Sequence, residues 1–456
     1  MPINYKFFLS VLIIFIILFI TSLLKAIKNS IIVMQLGPEI ISAVRLYGVL
    51  PSIFLFTFLY RKLTNHFSRT QIYFLINAVF IAFFMIFGVF LYPKIVFSTI
   101  SHSVLTETST IFKYHIIMLY YWPYTVFYIL AELWPSVMLS LMFWQIANQI
   151  YSVEEAKTYY PLLALSGEIG AAAGGMVITL ITSSYTGHNW EDSIRYFSIL
   201  IFVSGLLISL FSYLLINRLI GAIIVNGNAR ITSQVSVFDN IKYLLLSKHI
   251  RFIAIILLCY GITISVFESA WEKQLSLLFT NSSNYCHFIG KVQMALSLTA
   301  ICFDLISSRI LKRVSMITAM LITPILIIIT GIPFFLSIIS QSMELSYSSY
   351  FGLSLLQISI FIGTIQNILV KAAKYSFLDP VKETVFIPLG EELKTKGKAV
   401  TDVIGERMGN SGGSFIQWLM LSLIPGANIT IITPYLFIVF SLVIILWLYA
   451  LAQLNK

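Results

Sequence analysis

Several charged side chains stand where charge is expensive, inside long apolar runs. Lys25 and Lys28 follow the run from Phe7 to Leu24 and share a helix face at i, i+3. Glu132 sits in Ala-Glu-Leu-Trp-Pro and Glu268 in Val-Phe-Glu-Ser-Ala-Trp, both with apolar flanks. Further along, Lys371 and Lys374 lie one turn apart, Asp379-Pro380 marks a break and Lys382 follows it. Arg45 and Arg407 also fall at membrane depth, the latter in a glycine-rich stretch. A charge at the centre of a membrane helix costs about 2.5–3.5 kcal/mol. Each therefore needs an ion partner, a wet cavity or, for long stems such as Lys25 and Lys28, an exit to the interface. Lysines outnumber carboxylates at this depth. Ammonium groups in a low-dielectric cavity hold phosphates as point charges, so the chemistry indicated is binding of an anionic solute.

The elements that must position these groups are membrane helices. Of the 456 residues, 58% are hydrophobic and 11% charged, with a mean hydropathy of +0.91. Soluble domains run near a quarter charged, so a soluble enzyme, a disordered chain and a nucleic-acid module are excluded together. The net charge of +10 is read instead as the basic side of a topology. Long apolar runs exclude a β-barrel. Runs of roughly 20 residues recur at about 7–36, 43–60, 71–92, 116–147, 158–183, 193–217, 251–271, 285–308, 314–339, 347–374, 399–424 and 429–452. They predict an all-α polytopic membrane protein of about twelve transmembrane helices. With the N-terminus placed in the cytoplasm, 20 of the 29 Lys and Arg fall on that side and five on the other. That bias predicts an even helix number and cytoplasmic termini.

The chain also repeats. Gly-Glu-Ile-Gly-Ala-Ala-Ala-Gly-Gly at 167–175 and Gly-Glu-Arg-Met-Gly-Asn-Ser-Gly-Gly at 405–413 lie 238 positions apart, in the expected fifth and eleventh helices. Polar pairs, Asn148-Gln149 and Gln366-Asn367, precede them near the ends of helices four and ten. The pattern predicts two six-helix halves, 1–217 and 251–456, joined by a basic cytoplasmic linker at 218–250. Such parallel repeats are the plan of major-facilitator-like transporters, whose substrate site lies near the midplane. The glycines by themselves need only mean close helix packing. Neither stretch has the Gly-Lys-Ser/Thr of a phosphate loop, and no His-Glu-x-x-His or Gly-x-Ser-x-Gly occurs, so no enzyme is expected. Cys259, Cys286 and Cys302 offer no metal set, and no cofactor is called for. Lys394, Lys396 and Lys398 read as a solvated cytoplasmic cluster.

Residue by residue, the reading ends at a secondary transporter of an anion. Several stretches, however, resemble the ATP/ADP translocase family of obligate intracellular bacteria, microsporidia and plastids. They are Ala131-Glu-Leu-Trp-Pro through Gln149, Glu155-Ala-Lys-Thr-Tyr-Tyr-Pro161, Lys371-Ala-Ala-Lys-Tyr-Ser-Phe-Leu-Asp-Pro-Val-Lys-Glu383, Ile387-Pro-Leu, Lys396-Gly-Lys-Ala and Gly409-Asn-Ser-Gly-Gly413. The resemblance implies import of host ATP in exchange for ADP by alternating access, in the cell inner membrane. It implies transport roles for Lys28, Glu132, Glu268 and Lys382, the lysines attracting phosphates and the glutamates pairing with those lysines in the empty carrier. The full set expected along the substrate path is Lys25, Lys28, Glu132, Asn148, Glu268, Lys374, Asp379, Lys382 and Arg407. The expected partners are ATP, ADP and the lipid bilayer, with no nucleic acid, and the carrier is expected to act as a monomer. Departures from the family pattern stand at Ala26, Asn29, Pro135, Glu272 and Lys291. They keep open the alternative of a GTP, UTP or CTP importer working by exchange or proton symport.

Overall fold

The computed structural model describes residues 3–94, 110–183, 187, 189–223, 248–311, 313–342, 353–385, 405 and 408–454. Arg407, Lys394, Lys396, Lys398 and the linker stretch 224–247 lie outside them. Hydrocarbon offers no partner for backbone N–H and C=O groups, so an apolar span must satisfy them internally as a helix. Thirteen helices carry the described residues: α1 (Ile3–Gln35), α2 (Ile40–Thr64), α3 (Thr70–Lys94), α4 (Thr110–Tyr120), α5 (Trp122–Ile150), α6 (Val153–Ile181), α7 (Trp190–Ile223), α8 (Lys248–Leu278), α9 (Ser282–Ile310), α10 (Met316–Ser342), α11 (Leu355–Lys382), α12 (Met408–Leu423) and α13 (Ile429–Leu454). Eleven are long and apolar enough to cross a membrane. The other two are α4 and α12, the latter with 16 described residues packed along α8.

One boundary differs from expectation. The fourth span begins at Trp122, not near 116, because the backbone leaves the helical region at Tyr121 (φ −95°, ψ 38°). Pro123 follows, and a proline without an N–H is suited to a helix's first turn. Residues 110–120 therefore form a helix of their own. Elsewhere the starts are cleanly signalled. Ser68 with Gln71, Ser152 with Glu155 and Ser354 with Gln357 each form a reciprocal capping box at the heads of α3, α6 and α11.

Small residues set the helix spacing. A Cβ on Gly170 of α6 would stand 2.2 Å from the Phe15 carbonyl oxygen of α1. A Cβ on Gly409 of α12 would stand 2.6 Å from the Leu258 carbonyl oxygen of α8. The two glycine stretches of the sequence thus do the same job in their own halves, bringing α6 onto α1 and α12 onto α8. Outward faces carry exposed Leu, Ile and Phe, among them Ile329, Leu442 and Ile445, as a lipid-facing surface requires. Successive spans reverse direction. Lys6 reaches Glu155 (2.8 Å) and the Ile150 carbonyl (2.8 Å) at the end that holds both termini. Beside them Tyr151 bonds Ser10 (3.0 Å), and burial pushes its phenol up to about 12. Glu39 meets Lys273 (2.7 Å) at the opposite, far end.

Gly170→Ala should therefore force α1 and α6 apart, at a cost of about 1–3 kcal/mol. Gly412→Ala, whose Cβ would find its nearest neighbour 3.7 Å away, should be tolerated. Thermal unfolding of the two variants in detergent checks the contrast.

Candidate functional site

The charges singled out from the sequence converge between the two halves. Lys28 of α1 donates to Glu132 of α5 and lies 4.4 Å from the centre of the Tyr128 ring. Glu268 of α8 uses both carboxylate oxygens: one accepts from Lys371 of α11 (2.5 Å), the other from Arg45 of α2 (3.2 Å). Arg45 also donates to the Tyr128 hydroxyl (3.2 Å). One arginine thus ties Glu268 of the second half to Tyr128 of the first. One turn beyond Glu268, Glu272 accepts from the Asn29 side-chain amide (3.1 Å), again across the halves. Lys25 lies within electrostatic reach of Lys371, Glu268, Lys28 and Glu132 and makes no ion pair or hydrogen bond among the described residues. The cluster therefore gathers Lys25, Lys28, Arg45 and Lys371 with Glu132, Glu268 and Glu272, and Glu168 of α6 lies within electrostatic reach of Lys25.

Local backbone explains how these groups come together. Arg45 lies in a π-helical stretch of α2 (Val44–Val49) and Glu132 sits just ahead of another in α5 (Pro135–Phe143), which opens with a proline. A third follows Lys371, at Lys374–Leu378. An extra residue per turn re-aims the side chains beside it, a distortion common at functional sites.

The remaining expected residues lie elsewhere. Lys374 pairs with Asp379 (3.3 Å) and stands over the Tyr260 and Tyr375 rings (5.4 and 5.1 Å), nearer the termini end. Lys382 is half-buried one turn further. Asn148 is exposed at the end of α5, where it accepts from Tyr160 (2.7 Å). No ion pair or hydrogen bond given above joins any of these four residues to the central cluster. Glu268 pairs with Lys371 and Arg45, Lys371 standing 11 residues, about three turns, before Lys382 on α11. Arg45 and Lys371 are the functional candidates that the expected set omits. Their signal was available: Arg45 had no interfacial exit, and Lys371 preceded Lys374 by one turn.

The described contacts between the halves gather at the middle and the far end. Besides the cluster there are Glu39 with Lys273, Gln35 with Ser282 (3.5 Å), Thr182 with His287 (3.3 Å), and the Tyr47 and His115 rings against Trp418 (5.3 and 6.1 Å). Glu39 also accepts from the Ile429 backbone N–H (3.5 Å) at the head of α13.

Comparison with known proteins is decisive on kinship. A sequence profile described as TLC ATP/ADP transporter matches residues 3–456. The chain belongs to this family. It is 36% identical to ADP,ATP carrier protein 3 of Rickettsia bellii, over 96% of this chain and 92% of that one. It is 34% identical to ADP,ATP carrier protein 4 of Rickettsia felis, over 99% and 91%. Among solved structures, a bacterial homologue of the iron transporter ferroportin in an inward-facing state superposes with a TM-score of 0.63 at 12% identity, covering 100% of this chain and 99% of that one. A D-xylose–proton symporter gives 0.60 at 11% identity, covering 100% and 98%. These likenesses establish the major-facilitator-like fold. The TLC family member is thus a multi-pass membrane transporter, not an enzyme.

Glu268→Gln should leave Arg45 and Lys371 uncompensated and destabilise the carrier by about 3–5 kcal/mol. Adding Lys371→Met should return part of that loss, since one orphaned charge is removed with its partner. A double-mutant cycle of thermal unfolding in detergent measures the coupling.

Proposed function

We propose that this carrier exchanges external ATP for internal ADP by alternating access, as a monomer in the cell inner membrane with both termini in the cytoplasm. The observation that carries the reading is the central cluster: Lys25, Lys28, Arg45 and Lys371 held between the halves of a chain from the ATP/ADP transporter family. The relatives named ADP,ATP carrier proteins support adenine nucleotides as the cargo. Termini in the cytoplasm follow from the excess of basic residues at that end. On this orientation the far end, tied by Glu39 and Lys273, is the outer one, and the arrangement is inward-facing.

The roles follow from the geometry. Phosphate oxygens compete with Glu132 for Lys28, and with Glu268 for Arg45 and Lys371. Each exchange replaces one charge-assisted hydrogen bond by another, so the cations are never stranded in low dielectric. Arg45 binds Glu268 across the halves, so a phosphate that takes Arg45 loosens that tie. Binding and reorientation are thereby coupled, the halves 1–217 and 251–456 rocking about the site. Lys25 supplies a further cation for the terminal phosphates. Lys374, Asp379 and Lys382 sit nearer the inner mouth, where they would meet the cargo as it arrives or leaves.

The test is uptake of radiolabelled ATP by bacterial cells expressing the chain, followed by a chase with unlabelled nucleotides outside. Uptake reversed by ADP or ATP, but not by GTP, UTP or AMP, is the expected result. Accumulation of another nucleotide without ATP uptake would overturn the adenine assignment. Lys28→Ala should weaken ATP uptake about 10- to 100-fold, the worth of one charged hydrogen bond. Pairing it with Glu132→Gln should rescue folding but not uptake. Unchanged uptake affinity in Lys28→Ala would remove the phosphate role of that lysine.

A further inference from the structure

Glu272 and Asn29 make an incomplete pair. Glu272 is 2% exposed and Asn29 6%, yet the only hydrogen bond between them runs from the Asn29 Nδ2 to the Glu272 Oε1. The other two atoms of the same groups, Glu272 Oε2 and Asn29 Oδ1, are buried without a partner. Both are acceptors, so as drawn neither can satisfy the other. A carboxylic acid and a primary amide close a two-bond ring when the acid is protonated: N–H to the carbonyl oxygen, and O–H back to the amide oxygen. One bond of that ring is present here. The second needs a proton on Glu272 Oε2.

The surroundings supply a reason for that proton to come and go. Glu272 makes no ion pair among the described residues. From α2 it feels Arg45, from α1 Lys28, from α11 Lys371 and from its own helix Glu268. Tyr128 of α5 and Tyr285 of α9 lie within its electrostatic reach, and the Tyr285 hydroxyl is itself buried and unpartnered. α12 carries no titratable side chain in its described residues, and Tyr435 of α13 is exposed. Three of these neighbours are cations that hold the carboxylate charged, while burial and Glu268 oppose the charge. Phosphates settling on Lys28, Arg45 and Lys371 cancel the cationic hold. A nucleoside triphosphate, with about one more negative charge than a diphosphate, cancels more of it.

We propose that Glu272 and Asn29 form a proton-binding site that takes up one proton when a nucleoside triphosphate occupies the central cluster and releases it when a diphosphate does. This rests on the exchange reading above and adds charge balance to it. The proton comes from the solution on the side where the triphosphate binds. Triphosphate plus proton then carries the same net charge inward as the diphosphate carries outward, and the exchange moves no net charge. The ring also adds a hydrogen bond between α1 and α8, hence between the halves, in the loaded state.

The experiment uses the full chain in liposomes loaded with ADP and a pH-sensitive dye, in weak buffer. External labelled ATP should bring in about one proton per ATP, and ADP against ADP none. An imposed potassium–valinomycin potential should leave the ATP rate unchanged. In Glu272→Gln the proton movement should vanish and the exchange should become potential-dependent. Labelled ATP/ADP exchange without proton movement in the unaltered chain would overturn the proposal while leaving the antiport reading intact. Absence of labelled exchange would instead strike at the antiport reading. The proton site is still decided in that case by infrared difference spectra of the purified chain with ATP against ADP. A protonated-carboxyl band lost in Glu272→Gln and shifted in Asn29→Leu supports the site, and a band that persists unaltered in Glu272→Gln overturns it.

Discussion

The rest of the structure depends on a single carboxylate shared between two cations. Glu268 binds Lys371 from its own half and Arg45 from the other. In a low-dielectric interior such a group is stable only when fully paired, and removing either partner strands a charge. This fixes the register of α2 and α11 against α8. It also requires the neighbouring charges to find partners of their own, which Lys28 does with Glu132 and Glu272 does, in part, with Asn29. Lys25 makes no ion pair or hydrogen bond among the described residues, Glu168 acting on it only at longer reach, and it is the cation left for an anionic guest.

Holding charges at such positions takes helices that are both tightly packed and locally irregular. The tight part is the glycine contact of α6 on α1 and of α12 on α8, where the backbones themselves touch. The irregular part is the set of π-helical stretches beside Arg45, Glu132 and Lys371. Close packing keeps the outer framework of each half rigid, so that re-aimed side chains at the interface carry the change. On the proposed alternating access, the first feature would hold each half together and the second would lie at the contact between them.

Much of this was legible in the sequence because the membrane makes the relevant costs large. The all-helical build and the two-half plan followed from apolar length and the repeated glycine stretch, although of about twelve expected spans eleven helices among the described residues are long and apolar enough, the expected eleventh being α12 with its 16 described residues. Lys28, Glu132 and Glu268 stood out because charge in an apolar run needs a reason, and the structure brings all three to one place. Pairing was less legible. The resemblance implied glutamate–lysine pairs but not that Glu268 meets Lys371 and Arg45, because the re-aiming at Val44–Val49 is a local backbone irregularity that residue spacing does not encode. Asn148 was read near the end of the fourth helix, and α5 does end there, leaving it exposed against Tyr160 and away from the cluster. The helix break at Tyr121 was announced by Pro123, and only the apolar flanks concealed it.

An exchanger must avoid reorienting when empty, and the ion pairs give this carrier a physical reason not to. Moving the halves apart at the cluster means parting Arg45 from Glu268 or Tyr128. Without a guest, that step leaves buried charge unmatched. With phosphates present, Arg45 and Lys371 keep a partner throughout, and the barrier falls by the cost of the charge that would otherwise be stranded. At the far end Glu39 binds Lys273 and caps the head of α13, and this pair is about as shielded as Arg45 with Glu268. It too must find new partners before that end opens. The central ties make movement conditional on cargo in both directions, which is the condition for strict counter-exchange.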